Sequence, residues 1–324
     1  MNILATSVGR RTQLLKYFKE QINGKGKLVV TDNSPLAPAA YIGDEFYLVP
    51  KINEPEYLDR LLDICKKEDI KAVFSLIDPE LSIIAKNAGR FNEIGVKPIV
   101  SEYEACEIWL DKFEAQSFCL ERGFNYAKTY CDFEEFEAAL LRGEISFPVF
   151  IKPQKGSASL HISKVTNIEQ AKLIWDSVPD LIIQEFLDGQ ELGVDVYIDF
   201  LTEEIVAIFI KEKIAMRAGE TDKSRSIKSK ELFDIITRLV KLAKLKGPID
   251  IDVFDVNGKY YISEINPRFG GGYLHAYECG VNFPKYILNN LQGIANSPEI
   301  GNYDEDVYMM KHDTVTIKRK EELE

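Results

Sequence analysis

The residues with the strongest chemical pattern run Tyr260-Tyr261-Ile262-Ser263-Glu264-Ile265-Asn266-Pro267-Arg268-Phe269-Gly270-Gly271-Gly272. Side chains in a strand alternate between faces, so Glu264 and Asn266 point the same way. The preceding run Ile249-Asp250-Ile251-Asp252-Val253 puts Asp250 and Asp252 together on one face. Val256-Asn257-Gly258-Lys259 reads as the hairpin turn between the two strands. Pairing about that turn brings Asp252 opposite the 264–266 region. Two or three carboxylates and an amide on adjacent strands repel one another unless a cation lies between them. Oxygen donors of this kind suit Mg2+, which takes a few carboxylates and completes its shell with phosphate oxygens and water. Arg268 lies two residues beyond Asn266, where it can neutralise a phosphoryl group in transfer. The three glycines permit close approach of backbone to ligand. A solvated acidic hairpin is the plain alternative.

Two further segments fit a phosphate-bearing ligand. Lys152 sits inside the apolar run Pro148-Val149-Phe150-Ile151-Lys152-Pro153, where a buried ammonium needs an anionic partner or loses its charge. The following turn, with Gly156, Ser157, Ala158 and Ser159, offers N–H groups and hydroxyls to phosphates. It lacks Walker A spacing, and a lysine snorkelling from a strand edge is the other reading. The run Leu181-Ile182-Ile183-Gln184-Glu185-Phe186-Leu187-Asp188-Gly189-Gln190-Glu191 ends an apolar strand in an acidic segment. Its backbone is suited to an adenine edge and Glu191 to ribose hydroxyls; taken alone, the segment reads more simply as a strand followed by an Asp-Gly turn.

The elements that must position these groups alternate strand and helix over the first hundred residues. The strands are Asn2–Thr6, Lys27–Thr31, Glu45–Val49 and Lys71–Ile77; the helices follow Gly9, cover Glu56–Lys67 and begin at Pro79. Such alternation implies a parallel sheet covered on both faces. Ligands of such sheets lie beyond the carboxyl ends of the strands, which here carry Ser7-Val8-Gly9-Arg10-Arg11, Asp32-Asn33-Ser34 and Asp78-Pro79-Glu80. A second unit starts with a helix over Tyr103–Gly123, ended by the glycine. Strands at Ala127–Tyr130, Pro148–Pro153, Ile162–Val165 and Leu181–Phe186 then alternate with helices Phe133–Leu141 and Ile168–Ser177. The third unit is strand-rich: Glu191–Asp199, Ile205–Lys211, Ile249–Val256 and Lys259–Asn266, with a helix at Glu231–Leu245. The tail 318–324 reads as frayed. The expected domains are 1–105, 106–186 and 187–324.

Composition bounds the function. The chain has 324 residues with 40 Lys+Arg against 52 Asp+Glu, a net charge of −12. That balance disfavours nucleic-acid backbones as partners but leaves room for a small anion held by local cations. No segment approaches the roughly 20 apolar residues of a membrane span, and the N-terminus lacks a basic signal region. The five cysteines are scattered without a CxxC pair, so disulfides and thiolate metal sites are not expected. A reduced, cytoplasmic protein is the expectation.

Taken together, these segments resemble the ATP-grasp superfamily. The order matches: Lys112 in Leu110-Asp111-Lys112-Phe113, then Phe150-Ile151-Lys152-Pro153 with its small-residue loop, then Ile183-Gln184-Glu185-Phe186-Leu187 with Glu191, then Glu264-Ile265-Asn266-Pro267-Arg268. The last pattern is most similar to carbamoyl phosphate synthetase large subunits and their single-module relatives. Phe74-Ser75-Leu76-Ile77-Asp78-Pro79-Glu80-Leu81 is similar to the N-terminal domain of those relatives, including the pyrrolysine-synthesis ligase. The resemblance covers about residues 1–295. It implies a mixed α/β and α+β fold, a Rossmann-like pre-ATP-grasp domain followed by two ATP-grasp subdomains with ATP between them.

By the same resemblance Lys112 and Lys152 contact the nucleotide phosphates, and Gly156, Ser157 and Ser159 form a closing loop. Glu185, Phe186 and Leu187, behind Gln184, form the adenine hinge, and Glu191 binds ribose. Asp252, Glu264 and Asn266 hold Mg2+, with two ions expected, Mn2+ as a substitute, and Asp250 as the rival of Asp252. Arg268 stabilises the phosphoryl group. A substrate carboxylate attacks ATP and an amine captures the acyl phosphate, so the partners are a small carboxylate and an amine; many relatives are homodimers. Relatives carry more glycine where this chain has Ala158 and His161, and a protein that binds ATP without turnover is the runner-up. The charged stretch 211–225 is either an exposed loop or the place where Arg217 and Lys223 hold the acceptor carboxylate or γ-phosphate. Asp78 and Glu80 either start a helix or hold an amine, and His161 and His275 are further candidates for substrate contact.

Overall fold

In the computed structural model, which describes residues 1–156 and 162–323, the apolar runs of the first hundred residues pair side by side. They form β1 (Asn2–Thr6), β2 (Leu28–Asp32), β3 (Glu45–Leu48), β4 (Ile70–Ser75) and β5 (Lys97–Pro98), a parallel sheet in the order β3-β2-β1-β4-β5. Alternation along the strands divides their side chains between two layers. Ile3, Ala5, Val30 and Phe74 pack against α1 (Thr12–Ile22); Leu4, Val29 and Val73 pack against α2 (Tyr57–Lys67), α3 (Asp78–Lys86) and α4 (Ala88–Glu93).

The spacing that predicts one helix over 103–123 gives two, α5 (Tyr103–Leu110) and α6 (Lys112–Glu121). Asp111 breaks them: it is extended, and its carboxylate accepts N–H bonds from Phe113 and Glu114. An aspartate that satisfies the free N–H groups of a first turn restarts a helix rather than continuing one.

A second sheet, antiparallel, has the order β6-β9-β7-β8 for β6 (Thr129–Tyr130), β7 (Val149–Pro153), β8 (Ser163–Val165) and β9 (Leu181–Glu185). Val149, Ile151 and Ile183 turn inward onto Phe133, Phe136 and Ala171 of α7 (Phe133–Leu141) and α8 (Ile168–Ser177). Alternation therefore leaves Phe150, Lys152 and Gln184 on the open face.

The third sheet has the order β14-β13-β10-β11-β12-β15. Its strands are β10 (Gln190–Ile198), β11 (Ile205–Arg217), β12 (Glu220–Ile227), β13 (Gly247–Val256), β14 (Lys259–Asn266) and β15 (Tyr308–Met310). One face is apolar: Val194, Val196, Ile208, Ile210, Ile251 and Val253 pack against Leu232, Ile236 and Leu239 of α9 (Lys230–Leu242). The other face carries Asp195, Lys211, Lys213, Asp250 and Asp252. The stretch 211–225, expected to leave the sheet as a loop, is a hairpin. Its charges belong to the sheet because they are paired there, Lys211 with Asp195 and Lys213 with Glu191 and Asp252. Ala218 and Gly219 turn the chain at φ +51° and +77°, as a two-residue hairpin requires.

Phe209 of β11, Phe269, and residues of α10 (Tyr273–Glu278) and α11 (Phe283–Leu291) share one hydrophobic cluster with β1 and α1. Phe18 stacks on Phe74 at 4.6 Å and meets Phe269 edge-on at 5.7 Å. This aromatic contact sets the carboxyl ends of β1 and β4 over the 268–272 loop. In the tail, expected to fray, Lys320–Glu322 form a short 3-10 turn, stabilised by Glu322 accepting the Arg319 N–H at 2.9 Å. No helix among the described residues is long and apolar enough to cross a membrane.

Candidate active site

The acidic hairpin owes its geometry to one irregularity. Asn257 and Gly258 turn the chain at φ +54° and +81°, and the register near the turn pairs Phe254 with Tyr261 and Val253 with Ile262. Continued without interruption, it would put Ser263 opposite Asp252 and turn Glu264 toward the apolar face. A bulge between Asp252 and Val253 shifts the pairing, so Asp252 stands opposite Glu264 and Asp250 opposite Asn266. An inserted residue reverses which face the following side chains occupy. All four polar groups thereby line one cavity.

That cavity, about 560 Å³, lies between the open face of the second sheet and the polar face of the third. Phe150, Lys152 and Gln184 come from the second sheet; Glu191, Lys213, Asp250, Asp252, Phe254, Glu264, Asn266 and Arg268 come from the third sheet and the loop after it. Arg10, Arg11, Leu76 and Ile77 close it from the N-terminal sheet, at the strand ends where ligands of parallel sheets bind. Glycines make the crowding possible. A β-carbon on Gly270 would lie 2.3 Å from Asp250 Oδ1, and one on Gly193 would lie 2.9 Å from Lys211 Cε and 3.2 Å from Lys213 Cε.

The charges are arranged in interlocking pairs. Lys213 Nζ donates to Asp252 Oδ1 at 2.6 Å and to Glu191 Oε1 at 2.7 Å. Arg268 is clamped between Asp78 Oδ2, at 2.9 and 3.2 Å, and Asp250 Oδ2 at 3.1 Å. Burial pushes the Asp252 carboxyl up to about 7 against the pull of Lys213, with Asp250, Glu191 and Glu264 adding to the rise. Burial acts the same way on Asp250, but Arg268, then Lys211 and Lys213, hold it below the usual carboxylate range. Burial opposes the charge of Lys213, yet Asp252, Glu191 and Asp250 raise it well above the usual lysine range. At the Lys213–Asp252 pair, burial drives the rise of the carboxyl, and the carboxylates around the single ammonium drive the rise of the lysine. Lys152 is pushed down to about 8, by burial first, with Glu264 resisting and Lys112 assisting.

Not every expected residue reaches the cavity. Lys112 is buried with its Nζ on the Gly156 carbonyl at 2.7 Å, at the root of the loop expected to close. Ser157, Ser159, Ala158 and His161 lie outside the described residues. Glu185 and Leu187 line the cavity, whereas Phe186 packs against Phe150 at 5.7 Å with Lys164 3.6 Å over its ring. Arg217 and Lys223 are exposed and outside the cavity lining. Arg217 is drawn away by Asp222 at 3.0 Å and Asp313 at 2.8 Å. Asp78 makes no helix cap, being engaged with Arg268; Glu80 is buried among the hydroxyls of Ser7, Ser75 and Tyr57. His275 is buried against Ser224, its Nδ1 2.8 Å from the hydroxyl, and does not line the cavity.

Sequence reasoning missed Lys213 and the Lys211–Asp195 pair. Lys211-Glu212-Lys213 closes an apolar strand, so two lysines two residues apart share a face; that alternation was the available signal. Among the described residues no three Asp, Glu, His or Cys side chains converge as a ready-made metal centre. The oxygen donors grouped here are Asp252, Glu264 and the Asn266 amide.

Residues 3–99 match the family described as PylC-like, N-terminal domain, and residues 177–315 match ATP-grasp in the biosynthetic pathway with Ter operon. The chain is 22% identical over 269 residues to the carbamoyl phosphate synthase arginine-specific large chain of Bacillus subtilis (strain 168), covering 79% of this chain and 25% of that one. It is 27% identical over 168 residues to the D-alanine–D-alanine ligase of Pelagibacter ubique (strain HTCC1062), covering 46% of this chain and 54% of the ligase. It thus spans about a quarter and about half of these relatives. Among solved structures it superposes on the biotin carboxylase domain of Hydrogenobacter thermophilus 2-oxoglutarate carboxylase, crystallised with MgADP, ADP and bicarbonate. The TM-score is 0.75 at 16% identity, over 95% of this chain and 73% of that one. A parallel N-terminal sheet followed by two antiparallel sheets around one cavity is the ATP-grasp architecture. The chain thus matches an ATP-grasp model over residues 177–315 and a PylC-like N-terminal domain over residues 3–99, on the fold it shares with that biotin carboxylase domain.

Proposed function

We propose that the chain is an ATP-dependent carboxylate–amine ligase working through an acyl phosphate and releasing ADP and phosphate. The observation that carries this reading is the bulged register that sets Asp252 opposite Glu264 and Asp250 opposite Asn266 on the cavity face. Adenine lies among Phe150, Leu187 and Phe254 beside Gln184 and Glu185, and Glu191 takes the ribose hydroxyls. Lys152 meets the phosphates, and Lys112, through Gly156, anchors the loop that closes over them.

The oxygen-only donor set fits Mg2+ or Mn2+, with Asp252, Glu264 and Asn266 as protein ligands and the remaining positions taken by phosphates and water. A bound ion there would neutralise charge on the transferring phosphoryl group. Arg268, fixed by Asp78 and Asp250, adds a rigid guanidinium beside the same group. A carboxylate oxygen attacks the terminal phosphorus, the bond to the bridging oxygen breaks, and ADP leaves. An amine lone pair then displaces phosphate from the acyl carbon, and the amine gives up a proton. Two catalytic ions, a carboxylate and amine as partners, a cytoplasmic location and a homodimer complete the proposal, with domains at 1–105, 106–186 and 187–324.

The test is a screen of acids and amines for Mg2+-dependent release of ADP and phosphate, with hydroxylamine added to trap the acyl phosphate as a hydroxamate. Release of AMP and pyrophosphate would refute the route. Nucleotide binding without turnover for any pair would favour a silent ATP-binding protein.

A further inference from the structure

Two cations meet one carboxylate where the N-terminal sheet faces the β11–β12 turn, and Arg10 adds a third positive charge within its field. Arg11 Nη1 lies 3.6 Å from Glu220 Oε1, and Lys311 Nζ lies 3.0 Å from Glu220 Oε2 and 2.7 Å from the Gly271 carbonyl. Arg10 lines the same cavity and forms no ion pair among the described residues. The N-terminus of α1, which begins at Thr12, has no side-chain cap and no acidic residue in its first turn, so its partial positive charge adds to the excess. Burial lowers the Arg11 pKa, with Glu220 opposing and Arg268 assisting. Arg11 and Lys311 are largely out of water and share a single carboxylate, while Arg10 is exposed at the cavity edge; a bound anion would balance this excess of positive charge.

Leu76, Ile77, Met216 and Ala218 face the cavity. A β-carbon on Gly271 would lie 2.9 Å from Arg11 Nη1 and 2.7 Å from Glu220 Cγ, so the bare glycine leaves both side chains the room they occupy. This surface fits a small acid with a hydrocarbon body.

We propose that Arg10 and Arg11 form the subsite for the acid substrate, binding its carboxylate while its hydrocarbon part rests on Leu76, Ile77 and Met216. The assignment rests on the ligase reading and deepens it: the acid is recognised by the N-terminal domain, not by Arg217 and Lys223. A guanidinium pair binds a carboxylate with planar, charge-assisted hydrogen bonds, and an uncharged isostere forfeits them.

The test is thermal melting of the full chain with and without saturating MgADP, titrated with sodium isovalerate or with neutral isovaleramide at matched ionic strength. Isovalerate is expected to raise the Tm of the MgADP-bound protein and isovaleramide to leave it unmoved. Arg10→Gln is expected to raise the isovalerate concentration needed by roughly tenfold or more, and Arg10→Lys by less, with the MgADP shift alone equal in all three proteins. Equal responses to acid and amide, no response to isovalerate in the unmodified chain, or an Arg10→Gln titration that overlays it would each overturn the subsite. Absence of any MgADP shift, with the isovalerate response intact, would instead remove the nucleotide reading and leave the acid site standing.

Discussion

Lys213 and Asp252 form a direct ion pair, 2.6 Å from Nζ to Oδ1, at the position proposed for a divalent cation. The lysine side chain is 5% exposed and the aspartate 21%. The ammonium thus supplies to Asp252 the positive charge that the proposed cation would supply. Removing it by Lys213→Met leaves Asp252 and Glu191 facing each other uncompensated, at a cost of roughly 2 kcal/mol for a partly exposed pair. Urea melts in EDTA should show this loss. Added Mn2+ should then restore more stability to the variant than it adds to the unmodified chain; equal gains would separate Lys213 from the metal position.

Lys152 is the opposite case, a cation whose burial is uncompensated. Its folded-state pKa of about 8 lies below the 10.5 of a free lysine. The native state therefore binds fewer protons between pH 8 and 10.5, and stability rises with pH across that window and is lost as pH falls through 8. At pH 7 the ionised lysine costs the fold roughly 1–3 kcal/mol. Lys152→Met is expected to raise the ligand-free Tm and weaken MgADP binding at least tenfold by calorimetry. A variant that is less stable when ligand-free would contradict this account of its charge.

Arg268 ties the N-terminal unit to the acidic hairpin through Asp78 and Asp250. Both ends are almost fully buried, so Arg268→Gln strands two carboxylates and should destabilise the chain by roughly 3–5 kcal/mol. Asp78→Asn on that background should recover part of the loss in denaturant melts. Simple additivity of the two substitutions would show that the pair is not coupled.

His275 supplies an acid sensitivity just outside the cavity lining. Burial first, then Lys211, pushes its pKa from 6.5 down to about 4. The unfolded chain therefore takes up the proton first. Stability from the neutral ring is complete above pH 6.5 and is lost as pH falls through 4, with a slope of at most about 1.4 kcal/mol per pH unit. His275→Asn should flatten the stability curve between pH 4 and 6.5, measured by urea melts; an unchanged slope would assign acid sensitivity to other groups.

Much of the site was legible because strand periodicity is local. Glu264 with Asn266, Asp250 with Asp252, and Lys152 with Phe150 share faces in the structure as the alternation implies. The parallel sheet and the Asn257-Gly258 turn were readable for the same reason. What misled was charge: the expected strand stops at Lys211 where β11 runs on to Arg217, because Asp195, Glu191 and Asp252, the partners of Lys211 and Lys213, lie on other strands. Arg217 and Lys223 looked equally suited to a phosphate, but Asp222 and Asp313 claim the first and the second is exposed.

The amino-acid order by itself determined the types of oxygen donor, the faces they occupy within each strand, and the lysine placed among them on the facing sheet. Backbone geometry imposes a two-residue period on any extended segment, whatever surrounds it. Tertiary structure decided which donors confront one another. Plain counting from the 257–258 turn sets Ser263 against Asp252, and only the bulge replaces it with Glu264. It also brought Arg11 from the N-terminal unit to the same cavity and Asp78 onto Arg268. Both outcomes depend on how β13, β10 and β11 pack together over the polar face, an energy shared among distant residues and absent from any single stretch of chain.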